Sequence, residues 1–285
     1  MARLFALILL LCLAPATAQA FSSDRITVEA RGAGRDVVLI PGLGSSPAVW
    51  RGVAERLDDT HRVHLIGVRG FATRVGAANA VGDLSEPVAA EIARYLTEVR
   101  AERPAVVGHS LGGQIALRLA RRGGAERVMV VDSLPFFSTV IDPRLRRDDM
   151  LGLAEIARAA VLFLGDEAFR AAGGPAVAGL GRAGDGLLGA FGLGGDSDKR
   201  VLAQGLYEVL TEDLRPLLPS VRAPVTVLYA WSPEMEITQA QADTLWRESF
   251  SGLPRVRFER VDDADHMLML DQPQRFDEAL DRFLR

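Results

Sequence analysis

Short apolar runs recur along the chain and alternate with segments of helical periodicity. Runs of four to seven residues rich in valine, isoleucine and leucine predict strands, because a strand covered on both faces is apolar at nearly every position. The predicted strands are ITVEA (26–30), VVLI (37–40), RVHLI (62–66), AVVG (105–108), RVMVVD (127–132), VTVLYA (225–230) and RVRFERV (255–261).

Helical spacing of apolar residues separates most of these strands. Pro47 is expected to open a helix with Ser46 as its N-cap, and Ser85 with Pro87 opens another. Further helices are predicted over 111–122, over 239–250 and from Pro273 to the end of the chain. Strands that alternate with helices predict an α/β fold whose mostly parallel, twisted sheet is flanked by helices.

The pattern changes between residues 135 and 219, where no strand is predicted. MLGLAEIARAAVLFLG (150–165) and KRVLAQGLYEVL (199–210) both predict helices. The expected organisation is a core of residues 21–134 and 220–285, interrupted by a helical cap or lid at 135–219. Ten glycines in residues 173–195 argue against a helix there. Two interpretations of that stretch stay open: a surface loop, or a mobile lid whose apolar side chains meet a hydrophobic ligand.

The first 20 residues have the features of a secretory signal. Arg3 precedes the apolar run LFALILLLCLA, and Ala18-Gln19-Ala20 has the small-x-small pattern of a cleavage site. We expect cleavage after Ala20 and export to the periplasm or the extracellular space, without stable membrane insertion; a retained N-terminal anchor is the alternative. Cys12 is the only cysteine, so the mature chain would have no thiol nucleophile and no disulfide.

Composition excludes several classes of protein. The 285 residues include 48% apolar residues, enough for a sizeable core, and 33 basic against 37 acidic residues give a net charge of −4. A nucleic-acid-binding protein would need a basic surface, so we expect no binding of nucleic acid. HxxxH and CxxC spacings are absent and GLGSS lacks the full dinucleotide fingerprint, so we expect neither a metal nor an organic cofactor.

The stretch VVGHSLGG (106–113) carries the clearest chemical signal. Ser110 falls at a sharp turn between a predicted strand and a predicted helix, and Gly108 and Gly112 leave room for the two elements to approach closely. Such a turn presents the serine hydroxyl at the carboxyl edge of the sheet. The N-terminus of the following helix favours negative charge that develops there.

This stretch resembles the nucleophile elbow of the α/β-hydrolase family, and the resemblance extends over nearly all of the mature chain. PGLGSS after the VVLI strand resembles the oxyanion loop of that family, which implies that the backbone N–H groups of Leu43 and Leu111 hold the oxyanion. The segment DDADHMLMLDQP resembles its histidine loop, which implies that His266 is the general base.

The remaining histidines have other expected places. His61 and His64 flank an early strand and are expected to be structural or surface residues. His109 precedes the serine in the elbow, where a sequence neighbour is expected to point away from Ser110.

The third member of the triad departs from the family pattern. The family usually carries its acid after the strand that matches VTVLYA, and there this chain has WSPEMEI with Ser232 at the expected position. Three explanations stay open. Asp132 at the end of RVMVVD is the favoured acid, Glu234 or less favourably Glu236 is the second, and the third is that no acid is in place and catalysis is impaired.

The favoured function is that of a serine hydrolase that cleaves a carboxylic ester of an apolar small molecule through an acyl-enzyme. The alternative, motivated by Ser232, is a catalytically weak or inactive ligand-binding protein on the same fold. A carboxylate of Asp132 within hydrogen-bond reach of His266 Nδ1 would favour the enzyme.

Overall fold

A twisted seven-stranded sheet organises the chain. The structure, a computed structural model, describes residues 21–163 and 196–285. The strands lie in the order β1-β3-β2-β4-β5-β6-β7; β1 pairs antiparallel with β3, and all other pairs are parallel. They are β1 (Ile26–Arg31), β2 (Arg35–Ile40), β3 (His61–Val68), β4 (Ala105–His109), β5 (Arg127–Val131), β6 (Val225–Trp231) and β7 (Val256–Asp262).

Helices cover both faces of the sheet within the described ranges. They are α1 (Arg51–Leu57), α2 (Ser85–Glu98), α3 (Leu111–Arg121), α4 (Arg147–Phe163), α5 (Lys199–Thr211), α6 (Gln239–Ser249), the short α7 (Leu268–Asp271) and α8 (Pro273–Leu284). Ser46 caps the entry to α1 as predicted, since its Oγ accepts from Ala48 N at 3.2 Å, but the residues after it form a 3-10 turn, Pro47–Trp50, before α1 begins.

The central strands place successive residues in two different apolar cores. Val38 and Ile40 of β2 pack with residues of α2, α3 and α5, whereas Val37 and Leu39 pack with α1 and α8. This division explains why these strands are apolar at almost every position, because both faces are buried. The predicted α/β fold is confirmed, and β5, which ends next to Asp132, lies between the serine strand β4 and β6.

A helical region separates β5 from β6, and two carboxylates fix its helix α5 to the core. Asp198 accepts from Gly76 N at 3.1 Å and caps α5. Glu208, which is 4% exposed, accepts from Leu84 N at 2.6 Å and from Ser85 N at 2.8 Å at the start of α2. Buried carboxylates that accept several N–H bonds at a helix N-terminus hold two elements in a fixed relation.

Two predicted segments, the signal segment 1–20 and the glycine-rich stretch 173–195, lie outside the described residues, so both remain predictions. The described parts of 135–219 contain helices and turns and no strand. None of the helices in the described ranges combines the length and apolarity that a membrane crossing needs.

Candidate active site

Ser110 occupies a strained turn between β4 and α3. Its backbone has φ +53° and ψ −125°, a region that costs a non-glycine residue roughly 1–3 kcal/mol. Its N–H donates to Val131 O at 3.0 Å, and its carbonyl accepts from Gly113 N at 2.8 Å. The side chain is 1% exposed, and among the described residues Oγ has no hydrogen-bond partner. The fold therefore holds the hydroxyl in a fixed place without using it for stability.

The glycines around Ser110 are required by close backbone contacts. A side-chain carbon at Gly108 would meet Gly112 O, and one at Gly112 would lie 2.5 Å from Pro41 O. Because Gly108 has no side chain, α3 can turn sharply back on β4, as the sequence predicted. The second brings the N-terminus of α3 against the loop that follows β2.

This loop, residues 41–46, carries the predicted oxyanion donor. Leu43 is buried, and a side-chain carbon at Gly42 would lie 3.0 Å from Ser110 Cβ, so the loop runs directly beside the serine. Leu111 is the first residue of α3, where a helix N–H has no partner inside the helix. Helix α5 covers the loop, because a side-chain carbon at Gly205 would contact Leu43 Cδ1. The structure thus brings both predicted donors to the neighbourhood of Ser110.

His266 and Asp132 form a hydrogen-bonded pair at the same edge of the sheet. His266 Nδ1 lies 2.7 Å from Asp132 Oδ2, and the two side chains are 15% and 12% exposed. The carboxylate is itself oriented, because its Oδ1 accepts from Ala230 N at 3.0 Å. Since an ionised carboxylate only accepts, Nδ1 carries the proton and the lone pair of the neutral ring is at Nε2. A base with that lone pair suits removal of a proton from a hydroxyl.

Asp132 reaches the histidine because its own backbone is unusual. It follows β5 directly and has φ +44°, a left-handed conformation that aspartate tolerates better than most residues. Its N–H donates to Leu228 O at 2.8 Å on β6. The residue therefore turns out of the sheet at the place where parallel strands end.

The other acid candidates lie elsewhere. Glu234 is exposed on the short 3-10 turn Pro233–Met235, and Glu236 after it is exposed as well. Ser232 is 4% exposed, and its Oγ donates to Asp265 Oδ1 at 2.9 Å. The residue at the family's usual acid position thus binds the neighbour of His266 through a hydroxyl.

His109 has a more specific place than the sequence predicted. It is 1% exposed, and its Nε2–H donates to the carbonyl of His266 at 2.8 Å. The two imidazole rings lie 4.6 Å apart between centroids. Sequence reasoning excluded His109 as a base and missed this contact. The signal that could have suggested it is a polar residue that ends a buried strand one position before the serine.

His64 is a buried structural residue. Its Nδ1 accepts from Tyr95 Oη at 2.7 Å, and its Nε2–H donates to Asp36 Oδ1 at 2.8 Å. His61 is half-buried at the start of β3, at the end of the sheet opposite to Ser110. Within the described ranges, no group of three His, Cys, Asp or Glu side chains could hold a metal ion.

The two buried histidines predict a loss of stability in acid. Burial lowers the pKa of His109 from 6.5 to about 3, assisted by the charge of His266, and burial also lowers the pKa of His64. Below pH 6.5 the unfolded chain binds protons at these histidines that the folded chain does not. The free energy of unfolding therefore decreases as the pH is lowered. Between pH 7.5 and 5.0, His109 alone should account for about 2 kcal/mol, measured by urea unfolding.

Replacement of one histidine provides the control for this acid effect. His109→Gln removes the titrating group and keeps an N–H donor, so its unfolding free energy should depend less on pH over this range. The two proteins have the same carboxylates, so the contribution of those groups cancels in the comparison. An unchanged pH dependence in the variant would contradict the assignment to His109.

Comparison with known proteins identifies the family and the fold. A sequence model of the alpha/beta hydrolase family matches residues 37–279. Among solved structures, MenH from S. aureus superimposes with a TM-score of 0.70 at 13% identity, covering 92% of this chain and 98% of that one. A thermophilic esterase from Thermogutta terrifontis superimposes with a TM-score of 0.62 at 22% identity, covering 91% and 93%. At these identities the likeness supports the fold alone.

Two curated relatives match over shorter stretches. A pimeloyl-[acyl-carrier protein] methyl ester esterase of Nitrosomonas europaea is 33% identical over 116 residues, 39% of this chain and 42% of the relative. An N-formylmaleamate deformylase of Pseudomonas putida is 31% identical over 106 residues, 35% of this chain and 38% of the relative. The matched parts span less than half the length of both relatives.

Proposed function

Because the chain belongs to the α/β-hydrolase family, we propose that it is a serine hydrolase that cleaves a carboxylic ester of an apolar small molecule. The observation that carries the proposal is the 2.7 Å contact between His266 Nδ1 and Asp132 Oδ2 at the carboxyl edge of the sheet. An oriented imidazole and a buried serine hydroxyl at the same edge of the sheet are the components that acyl transfer needs.

In the proposed mechanism, His266 acts as base and then as acid. Nε2 takes the proton of the Ser110 hydroxyl while Oγ attacks the ester carbonyl. The tetrahedral intermediate collapses when the imidazolium returns the proton to the departing alcohol, which leaves an acyl-enzyme. Nε2 then takes a proton from water, the hydroxide attacks the acyl group, and the proton goes to Ser110 Oγ as the acid is released.

Two backbone N–H groups and one carboxylate stabilise charge during these steps. The backbone N–H groups of Leu43 and Leu111 are proposed to hold the oxyanion, supported by the close approach of the 41–46 loop to the start of α3. Loss of one such donor typically costs about a hundredfold or more in rate. Asp132 stabilises the imidazolium and keeps the proton on Nδ1.

An apolar ester is the proposed substrate class. Helix α4 of the helical region exposes Leu153, Ile156 and Phe163, with Phe163 84% exposed. The name of the Nitrosomonas relative gives a pimeloyl-[acyl-carrier protein] methyl ester, and the pimeloyl part of that ester contains an apolar methylene chain. Export of the chain rests on residues 1–20 alone and is part of the proposal; N-terminal sequencing of the mature protein tests it.

The experiment that tests this function combines a covalent probe with a substrate panel. A fluorophosphonate reacts with serines that a neighbouring base activates, so fast labelling is expected, with the label on the peptide that contains Ser110. Methyl and p-nitrophenyl esters of increasing acyl length, with one N-formyl amide for comparison, then define the bond and the chain length. Hydrolysis should be fastest for an ester of a medium apolar acyl chain.

Failure has a clear meaning in this design. A folded wild-type protein that neither reacts with the probe nor hydrolyses any ester would contradict the proposal. That result would favour the ligand-binding alternative, which equilibrium binding of the same acyl compounds can then examine. Faster cleavage of the amide than of every ester would overturn the ester assignment and keep the hydrolase.

A further inference from the structure

We propose that His109 is a positioning residue that fixes the backbone of His266 beside Ser110. This inference rests on the proposed function, since it concerns the placement of the proposed base. It assigns a task to a buried, polar side chain that takes no part in the proton transfers described above.

The contact is direct and links two distant parts of the chain. His109 is the last residue of β4 and the immediate neighbour of Ser110, and its Nε2–H donates to His266 O at 2.8 Å. The residues are 157 positions apart in sequence. Because Ser110 is rigidly held by the elbow, this hydrogen bond ties the backbone of His266 to the same rigid strand end.

Three neighbouring strands hold the region of His266, and each fixes a different part of it. Asp132 after β5 orients the imidazole through Nδ1. The hydroxyl of Ser232 after β6 donates at 2.9 Å to the carboxylate of Asp265, the residue before His266. His109 at the end of β4 holds the carbonyl of His266 itself. Without this last contact the loop would be held through the side chains of Asp265 and His266, and the backbone of His266 could shift while the imidazole keeps its bond to Asp132.

The ring of His109 also contacts the loop proposed to hold the oxyanion. A side-chain carbon at Gly42 would lie 3.0 Å from His109 Nδ1. The imidazole is therefore packed between the 41–46 loop and the loop that carries His266. The distance between the proposed base and the proposed oxyanion donors affects the rate strongly, since a displacement of about 1 Å can lower a rate by about a hundredfold.

The chemistry of the imidazole fits this position. A donor to a carbonyl must carry a proton on Nε2, and a neutral ring does so with Nδ1 unprotonated. Burial and the nearby His266 lower the pKa of His109 to about 3, so the ring is neutral at ordinary pH. Neutrality matters during the proposed reaction, because a positive charge 4.6 Å from His266 would oppose formation of its imidazolium.

A matched pair of variants separates the hydrogen bond from mere filling of space. His109→Gln places an amide N–H near the position of Nε2, whereas the same amide in His109→Asn is one methylene shorter and cannot reach His266 O. For His109→Asn we expect kcat to fall roughly 10- to 100-fold with KM within about threefold. His109→Gln should keep kcat within about fivefold of the wild type, which is rescue by the conservative variant.

A second readout does not depend on catalysis. Hydrogen–deuterium exchange of peptides that cover 263–271 should be faster in His109→Asn and close to wild type in His109→Gln. His61→Phe, a change in a histidine at the opposite end of the strands, is the control and should alter neither exchange in this loop nor kcat.

The outcomes distinguish this inference from the proposed function. Unchanged exchange in His109→Asn, or equal loss of kcat in the Asn and Gln variants, would overturn the positioning role. If the wild type has no hydrolase activity and no probe labelling, the proposed function fails, and exchange in the 263–271 peptides still decides whether His109 fixes the loop.

Discussion

Replacement of Ser110 by alanine is expected to lower kcat for the best ester by about 10⁵–10⁶-fold and to abolish fluorophosphonate labelling. The reason is that the hydroxyl is the proposed nucleophile, and the other groups can only assist a group that forms the covalent bond. Residual hydrolysis should come from the oxyanion donors and substrate binding alone. Steady-state kinetics of the purified variant, with active-site titration of the wild type, measures the effect.

The same substitution should leave the fold intact. Among the described residues Ser110 Oγ has no hydrogen-bond partner, so its removal breaks no contact that stabilises the protein. Alanine meets the same backbone strain at φ +53°, and the free energy of unfolding should stay within about 1 kcal/mol of the wild type. Urea unfolding of both proteins checks this, and it separates a chemical defect from a folding defect.

Ser133 offers a matched control for the loss of a buried hydroxyl. Its side chain is 0% exposed, and within the described part of the chain its Oγ also has no hydrogen-bond partner. Ser133→Ala should therefore keep probe labelling and kcat near wild type. If Ser110→Ala retained hydrolysis within tenfold of the wild type, the nucleophile would have to be another group.

Much of this site could be predicted from local patterns along the chain. The strand before Ser110 is apolar and the helix after it begins at once, so the elbow follows from the glycines and from periodicity. Parallel strands present their carboxyl ends at one edge of a sheet. Asp132 follows β5, the neighbour of the serine strand β4, and therefore lies at the same edge as Ser110.

The network around His266 could not be predicted in the same way. The contact of His109 with His266 depends on the path of a loop after β7, and no sequence spacing encodes that path. Ser232 is similar: the sequence suggests a missing acid, whereas its hydroxyl binds Asp265. Both contacts join the end of one strand to the loop after β7, so they follow from tertiary packing and not from local propensity.

Asp132→Asn is expected to lower kcat by about four orders of magnitude with little change in KM. The side-chain oxygen of asparagine can still accept from Ala230 N, so the local fold should survive. Its amide N–H₂ would face His266 Nδ1 in place of Oδ2, and two donors cannot share that contact. The imidazole would then favour the tautomer with the proton on Nε2, which cannot take the proton of Ser110.

Glu234→Gln is the matched control, since it makes the same change in charge at the competing acid. Glu234 is exposed on its 3-10 turn, so this variant should keep kcat within about twofold. The opposite pattern, with Asp132→Asn active and Glu234→Gln impaired, would transfer the acid role to Glu234. Normal activity in both variants would mean that His266 works without a carboxylate, and the 2.7 Å contact with Asp132 would then be structural.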